Sequence, residues 1–200
     1  MSLLNLFGKD NTSRKLLLAI DNHDESTIKR IMSGSFPLEC RDEEGETPLI
    51  KAVKNNLKEV VITLLERKAD INAKDNDGWS ALVWAAENRN MELLKLLLDS
   101  RADINIQDND GWTPLIEATV SRNLMAVQLL LSRNADKEIR DHDGKTALFH
   151  AVENRYPEIT KILLIAGAEL NVTDKDNRSI LQVAKDGGDT NIIKLISEKA

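Results

Sequence analysis

Apolar residues recur along this chain in columns. Leu49, Leu82, Leu115, Leu148 and Leu181 stand 33 positions apart, and three residues after each come Ala52, Ala85, Ala118, Ala151 and Ala184. A leucine and an alanine three apart share one face of a helix, and the small alanine lets a neighbouring helix approach closely. Two residues before each leucine is a hydroxyl: Thr47, Ser80, Thr113, Thr146 and Ser179. That is where a helix N-cap is wanted, and Pro48 and Pro114 follow at the first helical position. A second, longer apolar run succeeds each short one, as in MELLKLLLDS at 91–100 and ITKILLIAG at 159–167. Asp24, Asn90, Asn123 and Asp189 supply caps for these second helices, and Pro157 opens another.

So many columns at one spacing define a repeat architecture. The step of 33 also carries an aspartate column, Asp42, Asp75, Asp108, Asp141 and Asp174. A glycine column, Gly45, Gly78, Gly111 and Gly144, is closed by Asn177. Upstream, the register lands on Leu16 and Ala19, so a degenerate unit starts near Lys9. Each unit reads turn, short helix, turn, longer helix, return loop. None can bury its apolar face alone, so the units must stack. The expected organisation is a tail at 1–8 and one domain at 9–200. Its internal units are 42–74, 75–107, 108–140 and 141–173, with caps at 9–41 and 174–200.

DGWTPLIEA, DEEGETPLIKA and DGKTALFHA resemble the T-P-L-H-x-A core of the ankyrin repeat, and AGAELN at 166–171 resembles its return loop. The resemblance covers residues 9–200. It implies an all-α fold, a right-handed α-solenoid of stacked helix-turn-helix units with β-hairpin fingers at right angles to the helix pairs. Departures are specific. The family's histidine after the leucine is replaced by Ile50, Val83, Ile116 and Phe149. Its glycine ending the first helix becomes Asn56, Arg89, Arg122 and Arg155, and the return-loop glycine survives only as Gly167, with Lys68, Arg101 and Asn134 elsewhere. A non-glycine residue in a left-handed cap costs about 1 kcal/mol. The arginine column reads more readily as structure than as the rim of a binding surface.

Composition narrows the function. Aromatics are 4% of 200 residues, so the core is aliphatic, and a net charge of −6 argues against nucleic acid and anionic membranes. No apolar run approaches a membrane span. The start, MSLLNLFGKDN, lacks the features of an export signal, which makes the cytoplasm the expected location. One cysteine, Cys40, excludes an intramolecular disulfide and a cysteine-based zinc site.

DNDGW, at 75–79 and again at 108–112, looks like the opening of a calcium loop. With Gly78 as the central glycine the first and last ligands fall on Ala73 and Trp84, with Gly111 on Ile106 and Glu117, and with Gly144 on Ile139 and His150. Oxygen donors are required at both ends, so the pattern fails three times. The aspartate reads instead as a turn cap and the glycine as the residue of positive φ. Asp77, Asp110, Asp143 and Asp176 are then left to face outward. His23, His142 and His150 lack metal-ligand spacing and read as exposed. No nucleophile elbow or phosphate loop is present. The expectation is a non-enzyme without cofactor or metal.

In ankyrin-like stacks the concave face is formed by the finger tips and the exposed side of the first helix. In this register it includes Asp77, Trp79, Trp84 and Glu87, then Asp110, Trp112 and Glu117, then Lys145 and His150. All three tryptophans of the chain fall there, where an apolar anchor for a partner is wanted. The face carries the same net charge, −6, as the whole chain. The expected partner is a folded protein with a basic patch around an apolar centre, bound by a monomer. Inhibition of an enzyme in the manner of an immunity factor is the sharper version. The alternatives are a secreted host-directed effector adaptor and, more remotely, a metal sensor or enzyme.

Overall fold

The computed structural model describes residues 11–199. The tail at 1–8, the start of the first unit at Lys9, the reading of MSLLNLFGKDN and the last residue lie outside the described residues. The described secondary structure is twelve helices in six pairs: α1 (Asn11–Asp21) with α2 (Glu25–Met32), α3 (Pro48–Lys54) with α4 (Lys58–Glu66), α5 (Ala81–Glu87) with α6 (Met91–Asp99), α7 (Pro114–Val120) with α8 (Leu124–Ser132), α9 (Ala147–Glu153) with α10 (Pro157–Ile165), and α11 (Ile180–Gly187) with α12 (Thr190–Ser197). They fall into two compact units, Met1–Asp103 and Ile104–Ala200. In the first, α3 packs between α1 and α5; in the second, α9 packs between α7 and α11, and α10 between α8 and α12.

The short first helices begin where the hydroxyl column stands. Thr47, Ser80, Thr113, Thr146 and Ser179 are extended N-caps whose oxygens accept from the amides of Ile50, Val83, Ile116, Phe149 and Gln182 at 3.2–3.4 Å. Asp24, Asn90, Asn123 and Asp189 cap α2, α6, α8 and α12 in the same way. The alanine column is buried throughout, at 0–2% exposure from Ala52 to Ala184, as are Leu49, Leu82, Leu115 and Leu148. Leu181 departs from its column at 38% exposure, because no further helix pair follows among the described residues. The fold is all-helical, as expected of an ankyrin-like chain.

The fingers are tight turns rather than extended hairpins; only two isolated antiparallel bridges, Lys74 with Ser80 and Thr173 with Ser179, occur among the described residues. Each turn is closed by its aspartate. Asp75 Oδ1 accepts from the amides of Asp77 and Trp79 at 3.1 and 2.8 Å, and Asp108 Oδ1 from those of Asp110 and Trp112 at 2.9 and 2.7 Å. Gly78 follows at φ 84°, a backbone that L side chains rarely adopt.

Two further ladders join neighbouring repeats within a unit. Arg41 donates to the carbonyls of Gly45 in its own finger and Lys74 in the next, and Gln107 likewise spans Gly111 and Arg140. In the return loops a side-chain oxygen accepts from a backbone amide 31 residues on: Glu39 from Asp70, Asn72 from Asp103, Asn105 from Asp136, and Glu138 from Glu169. The glycine departures have the expected backbone. Asn56, Arg89, Arg122 and Arg155 sit at φ 55–59°, and Lys68, Arg101 and Asn134 at 62–70° beside Gly167 at 80°.

Candidate functional site: finger turns and first helices

Nine positions after each turn-opening aspartate, a residue stands on the first helix beneath the finger. In three repeats its side chain turns back to that aspartate. Lys51 Nζ lies 2.6 Å from Asp42 Oδ2, the Trp84 indole N–H donates to Asp75 Oδ2 at 3.1 Å, and His150 Nε2 is 2.7 Å from Asp141 Oδ2. One oxygen of each of these aspartates holds the turn and the other holds the helix.

In the first unit this arrangement builds an aromatic and ionic cluster. Trp79 and Trp84 are half-buried, with ring centroids 4.5 Å apart and planes tilted by 57°. Lys54 Nζ stands 4.3 Å from the centre of the Trp84 ring and pairs with Glu46, which also holds Lys51 at 3.1 Å. Burial opposes the charge on Lys51, but the carboxylates of Asp42, Asp21 and Glu46 outweigh it and hold its pKa above the ordinary lysine value. Asp77 is exposed, and Glu87 is half-buried at the end of α5.

In the second unit Trp112 is half-buried and packs edge-on against the His150 ring, 5.3 Å between centroids. Asp110 is exposed. Burial raises the pKa of Asp141, but the His150 hydrogen bond and the backbone amides of Lys145 and Asp143 pull it below the ordinary carboxylate value. Lys145 Nζ is committed to Glu153 at 2.7 Å and lies over the Phe149 ring.

Several surface expectations are corrected by this geometry. His150 is buried at 6% exposure because its ring turns in to Asp141, so it is neither an exposed histidine nor a surface contact. Glu117, in the same column, is likewise buried, at 5%. Lys145 is held by Glu153 of its own repeat. Glu46, paired with the partly exposed Lys54, and Lys51 are buried too, so counting charge by register overstates what the face presents while Lys54 is seated. Asp143 does keep a half-exposed side chain, and it pairs with Lys175 at 2.7 Å. Of the predicted set, Trp79 and Trp84 meet in the first unit and Trp112 meets His150 in the second. The register gave no sign that the Lys54 ammonium completes the tryptophan cluster. Its signal lay in the spacing: Lys54 is eight residues after Glu46, as Glu153 is after Lys145.

Among the described residues, no group of three or more His, Cys, Asp or Glu is placed to hold a metal ion, and no helix is long and apolar enough to cross a membrane. Away from the fingers, a groove of about 490 Å³ runs between α2 and α4, lined by Ile28, Met32, Leu57 and Val60 among others.

Paired helices with capped finger turns define a helical repeat protein. A family model for ankyrin repeats (three copies) matches residues 16–108 and again 88–174, and the chain belongs to the ankyrin-repeat family. Ankyrin repeats are generally protein–protein interaction modules, typically non-catalytic. No curated protein matches the chain.

Proposed function

We propose that the chain binds a folded protein partner through its finger turns and first helices, without catalysis, cofactor or metal. The observation that carries this reading is the set of half-exposed tryptophans, Trp79 and Trp84 in one unit and Trp112 in the other, each accompanied by an exposed aspartate, Asp77 or Asp110. Tryptophan with a wet edge next to charge is the composition of an interface anchor. The partner presents basic side chains around an apolar centre, and occluding an enzyme's surface requires nothing beyond such contacts. The 9–200 segment acts in this reading as one domain, in the cytoplasm and as a monomer.

The test is charge reversal at the two exposed acids. Asp77 and Asp110 contribute backbone amides to their turns, and both side chains are exposed, so Asp77→Lys with Asp110→Lys preserves the fold. Capture of a stoichiometric partner from native lysate by the wild-type chain, lost with the double variant at an unchanged melting temperature, is the expected result. Equal capture by both chains would remove the fingers from the binding surface.

A further inference from the structure

Lys54 holds an unusual place. It ends α3, and its ammonium stands on the face of a tryptophan from the next repeat, 4.3 Å from the ring centre. That ring is fixed from two sides, by the indole hydrogen bond to Asp75 and by Trp79 packed against it. The Glu46 carboxylate lies at the same spot, bound to Lys54 through Oε1 and to Lys51 through Oε2. A flat π-face with a carboxylate beside it is what a cationic side chain seeks, since the ring supplies quadrupole attraction and the acid supplies directed hydrogen bonds.

Of the two lysines here, only one is replaceable. The Lys51 side chain is 9% exposed and neutralises Asp42, Asp21 and Glu46 together. The Lys54 side chain is 39% exposed, and when it leaves, Glu46 keeps its bond to Lys51. Three carboxylates, Asp21, Asp42 and Glu46, share these two ammonium groups, and a fourth, Asp75, lies at the N–H edge of the indole, so the locale stays negative even with Lys54 seated. The column to which Lys54 belongs continues as Glu87, Val120, Glu153 and Asp186, so the fold does not require a cation there.

We infer that the Trp84 face, edged by Glu46, is a receptor for a basic side chain of the protein partner, and that Lys54 is a built-in occupant which that side chain displaces. This rests on the protein-binding reading above and names the chemistry that reading needs. Arginine suits the place better than lysine. Its guanidinium stacks flat on an indole while its edge N–H groups reach a carboxylate, and it is more weakly hydrated than an ammonium. The displaced Lys54 ammonium returns to water through the exposed end of its stem. No covalent bond changes.

The test uses the full chain, labelled with ¹⁵N, and N-acetyl-arginine amide as the probe. The Trp84 Nε1–H resonance is followed in the wild type, in Lys54→Met, which keeps the stem without the charge, and in Lys54→Gln as a second neutral form. The expected result is a saturable shift in every chain, with the dissociation constant about fivefold lower in both variants, the worth of one exposed cation–π contact. The neutral isostere N-acetyl-citrulline amide gives no saturable shift. The inference is overturned by a missing shift in the variants, by equal affinity in wild type and variants, or by equal binding of the citrulline amide. If the probe fails while charge reversal at Asp77 and Asp110 still abolishes partner capture, the surface stands and this subsite falls. If the probe binds as expected while capture is indifferent to the reversal, the subsite stands and the finger surface falls.

Discussion

Replacing Lys68 and Arg101 by glycine should stabilise the first unit. Both residues end a second helix with φ of 70° and 68°, and both side chains are exposed. Their amides donate to Leu65 and Leu98 at 3.0 and 3.1 Å, bonds that glycine keeps. An L-residue in this region costs about 1–2 kcal/mol, and glycine gives back about 0.5–1 kcal/mol of that in unfolded-chain entropy. The net gain is about 0.5–1 kcal/mol per site, or roughly 1–2 kcal/mol for the double variant. For a chain of this size that is a melting temperature higher by about 2–8 °C. The repeat at 141–173 contains the reverse experiment. Gly167 occupies the same column at φ 80°, and a Cβ built there meets nothing within 4 Å. Gly167→Ala therefore adds no clash and reports backbone conformation alone, with an expected loss of about 0.5–1 kcal/mol. Urea titration by circular dichroism, with an unchanged slope, separates the three chains. No gain in the glycine variants together with a neutral Gly167→Ala would show that the left-handed ends are not strained, and the argument from φ would fail.

Lys51→Met should cost about 3–5 kcal/mol, because it strands the Asp42 carboxylate beneath the finger and leaves Glu46 to Lys54 alone, and a drop below about 1 kcal/mol in denaturant titration would mean that water reaches Asp42. Asp141, its pKa held below the ordinary 3.8, stabilises the fold above that value and loses this contribution as pH falls through its lowered one. Stability should therefore fall below about pH 4, and Asp141→Asn should flatten that acid limb; an unchanged limb would exclude the His150–Asp141 pair as its source. Asp75→Asn and Asp141→Asn should differ. With its oxygen kept on the turn, an asparagine at 75 points its NH₂ at the Trp84 indole N–H, donor against donor, at a cost of about 1–3 kcal/mol. At 141 the same NH₂ meets His150 Nε2, which accepts in one tautomer, so the loss there is smaller, and equal losses in thermal denaturation would refute the assignment of the two aspartate oxygens.

The repeat step, the caps and the left-handed helix ends were legible because each follows from one residue type at one register position. Thr113 needs only its own helix to act as a cap, and Arg89 needs only the missing glycine. The inter-repeat ladders were not, although Asn72, Asn105 and Glu138 form a column 33 apart. Their acceptor role depends on a backbone amide of the next return loop, and side-chain identity does not encode which amide comes near. Glu117 and His150 escape the register for a related reason. It puts them on the exposed side of an idealised first helix, facing water, whereas here both are buried, His150 against the aspartate of its finger.

The same column shows which part of Trp84 the fold itself uses. The aspartate of each finger is constant, but its partner on the helix is Lys51, Trp84 or His150, an amine, an indole and an imidazole with nothing in common except a nitrogen that reaches the second carboxylate oxygen. In these three repeats the fold therefore selects a donor at that position and leaves the rest of the side chain open. Trp84 satisfies the requirement with its N–H, which is the structural part of its role. The remainder of the indole is more than the hydrogen bond needs, and it is this surplus face that meets Trp79 on one hand and Lys54 on the other. Trp112 has no such duty, since its backbone amide, not its ring, is what Asp108 holds in the turn. In the binding reading proposed above, structure and recognition divide within Trp84, and a variant that keeps the donor while removing the ring face tests recognition more cleanly than alanine does.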